Sequence, residues 1–232
     1  QGAGKGHVEI DVIKARLSDF MAKLIDTVDS QILGSAGGDD TKMNGLADAI
    51  DNGTGTQIYG NIDRSTNPKW GAIKFNDDGN NTTTTWTLIS SYLSSYQNVV
   101  DDELPNVIFC SMAAFEQLCK TLLTSASGAV VQQMMVQNVD DLNLTRSFGV
   151  KALILNGIPI FPITKLGSAY NRVVYFVNGR RFQMHINPDF FFSLSEPASL
   201  LPVGTHGWVN ALEFAGNLIC TKPISNFKVT NF

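Results

Sequence analysis

Residues 45–53 read GLADAIDNG and residues 59–69 read YGNIDRSTNPK, and this is the stretch of the chain that decides its fold. Gly, Asn, Asp and Thr are frequent in it, and these residues favour turns and irregular backbone. It comes soon after the longest periodic segment of the sequence, so it is predicted to be the exit from a long helix. The order of the two segments, a long helix followed by a turn-rich stretch, says more about the fold than either segment alone.

Residues 10–33 are predicted to form that long helix. Apolar residues recur at three- and four-residue spacing from Ile10 to Leu33, so one stripe of a helix collects them, and charged residues occupy most of the other faces. Gly34 then supplies a C-terminal stop. About 24 residues give a rod of roughly 36 Å, about twice the length of an average helix. A rod of this length normally lies across a sheet or against a neighbouring subunit.

The middle of the chain predicts a turn-rich loop and then a strand followed by a helix. Residues 39–85 are polar and lack a strong period, which is typical of functional or interfacial loops. A Thr-rich cap precedes a second predicted helix at residues 87–99. Residues 107–110 read as a buried strand, and Ser111 is positioned to cap a helix that continues to Leu122.

The second half of the chain predicts mostly strands. Residues 124–148 are interpreted as a mobile hairpin or an interface loop. Asn178-Gly179 is a hairpin signal. The other β-type segments are residues 150–163 with a turn at Gly157-Ile158-Pro159, residues 172–177, 181–186 and 190–194, and residues 208–232 as long β structure. A short α/β unit followed by β-rich sequence predicts the α+β class.

Composition excludes several classes of function. The 232 residues suffice for one large domain or two interleaved ones, and 44% hydrophobic with 16% charged residues is an ordinary globular composition. The net charge is −4 and no basic stripe is present, which argues against tight nucleic-acid binding. No apolar run is long enough to span a membrane, and no signal peptide begins the sequence. We therefore expect a soluble protein without membrane contact.

Candidate chemical motifs are incomplete. The segment Gly2-Ala3-Gly4-Lys5-Gly6 lacks the spacing, the hydroxyl residue and the preceding strand of a phosphate-binding loop, and it is interpreted as a flexible hinge. Cys110, Cys119 and Cys220 form no CxxC pair, so buried free thiols are expected. The histidines and the acidic pairs lack metal-ligand or paired acid–base spacing: His7, His185 and His206, and the pairs at 39–40, 77–78, 101–103 and 140–141. No catalytic, cofactor-binding or metal-binding residue is predicted, and no enzymatic activity is expected.

The aromatic run Phe190-Phe191-Phe192 has two interpretations. Most of the phenylalanines belong to the core, or some of them anchor a partner in a buried contact. Because side chains alternate along a strand, Phe191 is expected to face away from Phe190 and Phe192. Phe191 is therefore the candidate for partner contact.

The order of these segments resembles the major capsid proteins of tailed bacteriophages with the HK-97-type fold. The resemblance is carried by the long helix, its exit at Gly45-Leu46-Ala47, the 59–69 loop with Trp70, the unit from Pro105-Asn106-Val107-Ile108 to the Ser111 helix, Gly157-Ile158-Pro159-Ile160, and Gly216-Asn217-Leu218-Ile219-Cys220. It implies an α+β, HK-97-like capsid fold with a long spine helix, a peripheral domain and an axial domain. Residues 1–44 are then the end of an extended loop plus the spine helix, residues 45–205 the axial domain, and residues 206–232 a returning β segment of the peripheral domain.

The same resemblance implies a function. It predicts a structural subunit of an icosahedral viral capsid that self-assembles into hexamers and pentamers and encloses a double-stranded DNA genome. Its partners are then other copies of itself, together with scaffolding, portal and decoration proteins, and it contacts packaged DNA only loosely. Such a subunit resides in the virion, and in the host cytoplasm during assembly. The family's covalent cross-link has no assigned position here, although Lys5 lies in a suggestive region.

Two alternatives stay open at this stage. One is a cellular nanocompartment shell protein of the same fold, similar to an encapsulin, which encloses enzyme cargo instead of a genome. The other is an α+β hydrolase or binding domain, which requires a concave site with perturbed titratable groups. Only nine residues precede the predicted helix, whereas members of the family carry an N-terminal arm and an extended loop there.

Overall fold

The computed structural model of the chain describes residues 3–37, 39, 41–54, 57–76, 94, 103–124, 153–155, 157–166, 172–196, 198–199 and 208–230. Helices and strands are mixed in them, as the predicted α+β class requires. The helix predicted at residues 87–99 lies outside the described residues except for Ser94, which is helical, and the 124–148 segment lies almost wholly outside them.

The first helix, α1, spans Ala3–Leu33 and is longer than predicted. The expectation of a flexible hinge at Gly2–Gly6 is therefore wrong from Ala3 onward, and so is an extended loop before residue 10. Each glycine in a helix costs only about 1 kcal/mol, and helix extension is cooperative, so the periodic residues downstream carry the helix through Gly4 and Gly6. The predicted stop is confirmed, because α1 ends at Leu33. The Gly34 amide donates the last helical bonds, to the carbonyls of Ser30 and Gln31 at 3.0 and 3.2 Å.

The segment after α1 contains more regular structure than the predicted loop. It forms a short helix α2 (Leu46–Ala49), a hairpin of β1 (Ile58–Tyr59) and β2 (Ile62–Asp63), a 3₁₀ turn at Pro68–Trp70 and strand β3 (Ile73–Asn76). The hairpin turn consists of Gly60 and Asn61, whose φ angles are +59° and +60°. Positive φ at both central residues is what a two-residue hairpin turn needs, and Gly and Asn are suited to it.

Six strands form the central sheet in the order β3-β12-β7-β4-β6-β5. Their bounds are β4 Val107–Ser111, β5 Leu153–Leu155, β6 Ile158–Ile163, β7 Val173–Val177 and β12 Phe227–Thr230. The pairs β12·β3 and β4·β6 are parallel, and the other pairs are antiparallel. Helix α3 (Met112–Thr124) follows β4 directly, and the predicted cap is confirmed because Ser111 Oγ accepts a hydrogen bond from the Ala114 amide at 3.2 Å.

Side-chain alternation gives the central sheet two buried faces. Val174 and Phe176 of β7 belong to a core that includes Ala114 and Leu118 of α3. The neighbouring residues Tyr175 and Val177 belong to a second core on the opposite face, built with α2, Tyr59 and Cys220. Phe176 stacks on Phe227 with ring centroids 4.0 Å apart, which joins β7 to β12 inside the first core.

The hairpin predicted at Asn178-Gly179 is wrong. These residues lead into a 3₁₀ turn at Gly179–Arg181, and β7 pairs with β4 and β12 instead of the strand that follows. The Asn178 amide donates to Asn226 Oδ1 at 2.7 Å and the Gly179 amide to Asn106 Oδ1 at 2.9 Å. These two side chains from distant segments hold the backbone in the turn, and a local hairpin signal cannot anticipate them.

A second sheet pairs two long antiparallel strands, β8 (Phe182–Leu194) and β11 (Leu212–Cys220). The short pair β9 (Ala198–Ser199) and β10 (Trp208–Val209) lies between them in the chain. The segment predicted as long β structure contains β10, β11 and β12 within its described residues 208–230, and β11 contacts α1. Strands from both sides of residue 205 pair in the second sheet and in the central one, and the division into peripheral and axial domains stays a prediction.

Candidate assembly interface

The residues considered for chemistry lie apart from one another. Cys110 and Cys220 are buried free thiols, as predicted, and His185 is exposed on β8. Asp39 accepts hydrogen bonds from Thr41 in an exposed turn, and these bonds lower the pKa of its carboxyl group to about 2. Across the described part of the chain, no three His, Cys, Asp or Glu side chains converge as metal ligands. The side chains of His7, Cys119 and His206 lie outside it.

The buried polar groups instead form a junction that fixes residues 45–69 to the rest of the chain. We use "buried junction" for Asp48, Asp51, Arg64 and Lys228. Arg64 is only 2% exposed, and its Nη2 donates to the carbonyls of Asp48 and Ala49 at 2.9 and 3.0 Å. Its Nε donates to the Trp70 carbonyl at 3.3 Å, and its guanidinium lies 4.9 Å from the centre of the Tyr59 ring. Arg64 thereby caps the C-terminal end of α2 and fixes it to the 3₁₀ turn.

A buried ion pair joins this segment to the central sheet. Lys228 Nζ lies 2.8 Å from Asp51 Oδ2, and both side chains are at most 10% exposed. Because alternate residues of β12 face opposite cores, Lys228 points to the same face as α2, where Asp51 compensates its charge. Burial lowers the pKa of Arg64, while the nearby Asp51 carboxylate opposes that shift.

Asp48 ties α2 to the end of α1. Its carboxylate accepts hydrogen bonds from the Ser35 hydroxyl, the Ala36 amide at 2.6 Å and the Gly45 amide at 3.3 Å. Gly45 lies so close to α1 that a Cβ there would overlap the carbonyl oxygens of Gln31 and Gly34. The predicted exit at Gly45 is therefore a close backbone contact that excludes any side chain.

Tyr59 links the same segment to β11. Its hydroxyl accepts a hydrogen bond from the Cys220 amide at 2.8 Å and donates to the Leu218 carbonyl at 3.4 Å. Burial raises the pKa of Tyr59 to about 12 and that of the Cys220 thiol to about 11. Both groups are therefore neutral at physiological pH. An uncharged, enclosed thiol is a poor nucleophile, so this region acts as a structural joint.

Sequence reasoning missed the buried junction, although Asp48, Asp51 and Arg64 all lie in the stretch it singled out. Polar residues in a turn-rich segment are normally solvated, and Lys228 lies 177 residues away from Asp51. The one feature of the sequence that pointed to a buried charge was Lys228, a single lysine between the apolar residues Phe227 and Val229 of a strand.

Exposed apolar side chains run along α1. Phe20 is 61% exposed, and Leu17 and Ile25 are each more than 40% exposed. The apolar stripe predicted for this helix is therefore only partly covered by the rest of the chain. Concentrated exposed apolar surface marks an interaction site.

A groove lies beside this face of α1. It has a volume of about 740 Å³, and its opposite wall is formed by Leu194 and Leu212 of the second sheet and by Val209 of β10. The helix contributes Arg16, Leu17, Phe20, Lys23, Leu24 and Thr27, which recur at three- and four-residue spacing.

The second exposed apolar feature is an outward bulge of β8. Ile186 pairs with Gly216 and Phe191 pairs with Phe214, so residues 187–190 stand opposite Ala215 alone. Phe190 and Phe191 are 42% and 53% exposed, and Phe192 packs on Phe214 with φ at +50°. Phe191 is exposed as expected. Phe190 is exposed as well, because the register shifts interrupt the alternation that predicted the opposite.

Comparison with known proteins gives a likeness in fold, not in sequence. No family model and no curated protein sequence matches the chain. The fold is similar to that of a chain in a solved structure described as a cyanophage A-1(L) capsid asymmetric unit, with a TM-score of 0.61 and 16% sequence identity. The match covers 95% of this chain and 68% of the other. At this identity the likeness shows a shared fold.

Proposed function

We propose that the chain is the structural subunit of an icosahedral bacteriophage capsid with an HK-97-type fold. Copies of it assemble into hexamers and pentamers that enclose a double-stranded DNA genome. The observation that carries the proposal is the exposed apolar surface of α1 and of the β8 bulge, on a fold similar to that of a capsid subunit. In this role α1 is the spine helix, and the subunit has no catalytic function.

In a closed shell, modest exposed apolar surfaces such as those of α1 and the β8 bulge are sufficient for assembly. A heterologous contact generates a ring when its rotation closes, and a shell repeats every contact many times. Each contact can therefore be weak, because linked contacts reinforce one another. Ring formation needs apolar patches that stay accessible in the free subunit, and Phe20 and Phe191 provide them. The acidic net charge of −4 fits a container that touches DNA only loosely.

The buried junction serves this role by making the subunit rigid. It joins the end of α1 to the central sheet through Asp48 and the Asp51–Lys228 pair, and the neighbouring Tyr59 adds the link to the second sheet. Scaffolding, portal and decoration proteins are further partners of the proposed subunit, and the virion, with the host cytoplasm before it, is its location.

Electron microscopy with sedimentation tests the proposal. The full-length gene product, expressed alone or with a neighbouring scaffold gene, is expected to form closed icosahedral shells. Packaged DNA identifies a capsid, whereas an enzyme cargo identifies a nanocompartment. A monomer or small oligomer under all of these conditions would falsify the assembly role.

A further inference from the structure

The groove beside α1 is positively charged as well as apolar. Arg16 and Lys23 line it, and among the described residues no carboxylate does. Within the described residues, neither cation forms an ion pair. The acidic residues Asp26 and Asp29 of the same helix are instead paired with Lys165, at 2.5 and 3.6 Å. Asp26 and Asp29 of the helix thus face Lys165 of their own chain, whereas Arg16 and Lys23 face the groove.

The β8 bulge has the opposite charge. In residues 186–191, which read INPDFF, Asp189 is the single charged residue, and all six residues are exposed. The Asp189 amide donates to Asn187 Oδ1 at 3.1 Å, so the bulge has a defined turn that presents Asp189 next to Phe190. The β8 bulge therefore presents exposed aromatic side chains together with one negative charge.

The groove beside α1 is large enough to accept phenylalanine side chains of the β8 bulge. A groove of about 740 Å³ falls within the range of about 300 to 1,000 Å³ found for pockets that bury a ligand. A phenylalanine side chain buries about 150–250 Å², and its insertion removes both its own surface and that of Phe20 from water. The bulge does not line the groove of its own chain, whose sheet wall is formed by Leu194, Val209 and Leu212.

We propose that the β8 bulge of one copy docks into the α1 groove of a second copy, with Asp189 facing Lys23 and Arg16 and with Phe190 and Phe191 against Leu17 and Phe20. The contact rests on the proposed capsid function, and it identifies the surfaces through which the copies meet. A second copy is the occupant because the same chain carries both the groove and a bulge of matching charge and apolar character, and complementary charge favours the correct partner and register.

Charge exchange tests this contact without disturbing the core. Asp189→Lys or Lys23→Asp alone places like charges together, and each is expected to raise the protein concentration needed for half-maximal assembly by about fivefold. The double variant is expected to restore assembly to within about twofold of the original chain. Lys14→Asp is the matched control, because Lys14 is exposed on the same helix but does not line the groove. Sedimentation velocity measures assembly.

Disulfide trapping tests the same contact directly. A chain with both Lys23→Cys and Asp189→Cys is expected to form linked multimers when assembled shells are oxidised, and a chain with Lys14→Cys and Asp189→Cys is not. Shells that form normally in all single charge variants, without disulfide multimers, overturn the docking contact and leave the capsid function intact. Failure of the original chain to form shells overturns both.

Discussion

Arg64 is the residue on which the 45–72 segment depends most. One guanidinium holds three backbone carbonyls that come from α2 and the 3₁₀ turn. A planar fork with several donors suits this task, whereas the point charge of a lysine does not. Without Arg64, those carbonyls are left buried with unmet hydrogen-bonding capacity.

We expect Arg64→Ala to lower the free energy of unfolding by about 3 kcal/mol, and Arg64→Lys by about 2 kcal/mol, because the lost bonds are buried and charge-assisted. Urea unfolding followed by circular dichroism measures both. Arg180→Ala is the control, since Arg180 is exposed, and its effect is expected to stay within about 0.5 kcal/mol. Equal effects of the Arg64 and Arg180 variants would contradict the capping role.

For the Asp51–Lys228 pair we expect a different pattern of stability changes, because the two opposite charges compensate each other. Asp51→Asn leaves the lysine charge buried and uncompensated, so we expect a loss of about 3 to 5 kcal/mol. Replacing both residues, with Asp51→Leu and Lys228→Met, removes both charges and is expected to cost under about 2 kcal/mol. A double-mutant cycle of Asp51→Leu, Lys228→Met and the double variant, followed by urea unfolding, measures the coupling. Additive single effects would show that the pair contributes no interaction energy.

At the scale of elements, Gly45 determines how the chain leaves α1. A Cβ at this position overlaps the carbonyl oxygens of Gln31 and Gly34, and those atoms are backbone that cannot rotate away. We expect Gly45→Ala to lower the free energy of unfolding by more than about 2 kcal/mol. The measurement is thermal unfolding by differential scanning calorimetry.

Gly37→Ala is the matched control for Gly45→Ala. Gly37 has a φ of +61° and nothing within 4 Å of an added Cβ, so only the backbone strain of about 1 kcal/mol is expected. A larger effect at Gly37 than at Gly45 would show that backbone conformation, and not close packing, explains the glycine at the exit.

Elements with local signals were predictable from the sequence, and elements held by distant partners were not. The periodicity of α1, the Ser111 cap and strand β7 depend on neighbouring residues, and the structure confirms each of them. The turn at Asn178 depends on Asn226 and Asn106, and the parallel pairing of β3 depends on β12, more than 150 residues later. The apolar character of Phe190 to Phe192 was visible in the sequence, but the register shift that exposes the first two was not.

For the whole molecule, burial of ionisable groups predicts sensitivity to alkaline pH. Burial raises the pKa of Cys220 from its usual 9.0 to about 11, and the pKa values of Tyr59 and Tyr175 from 10.0 to about 12. Above the usual pKa the unfolded chain loses the proton while the folded chain keeps it, so stability decreases as pH rises. We expect the decrease to begin near pH 9 through Cys220 and to steepen near pH 10 through the tyrosines.

Urea unfolding between pH 8 and pH 11 measures this decrease, with a slope of up to about 1.4 kcal/mol per pH unit for each group. In Cys220→Ala the onset is expected to move from about pH 9 to about pH 10. An unchanged onset would assign the early loss of stability to other groups.

The position of β12 inside the central sheet also affects when the subunit becomes complete during synthesis. Among the described residues, β3 lies at the edge of that sheet and pairs only with β12, so residues 73–76 wait for residues 227–230 to emerge. At about 5–20 residues per second, a ribosome needs roughly 8 to 30 s to translate the sequence between them. A nascent chain cannot close its sheet in that interval. An unfinished polypeptide therefore lacks a complete central sheet, and in the proposed capsid role only fully translated copies join a growing particle.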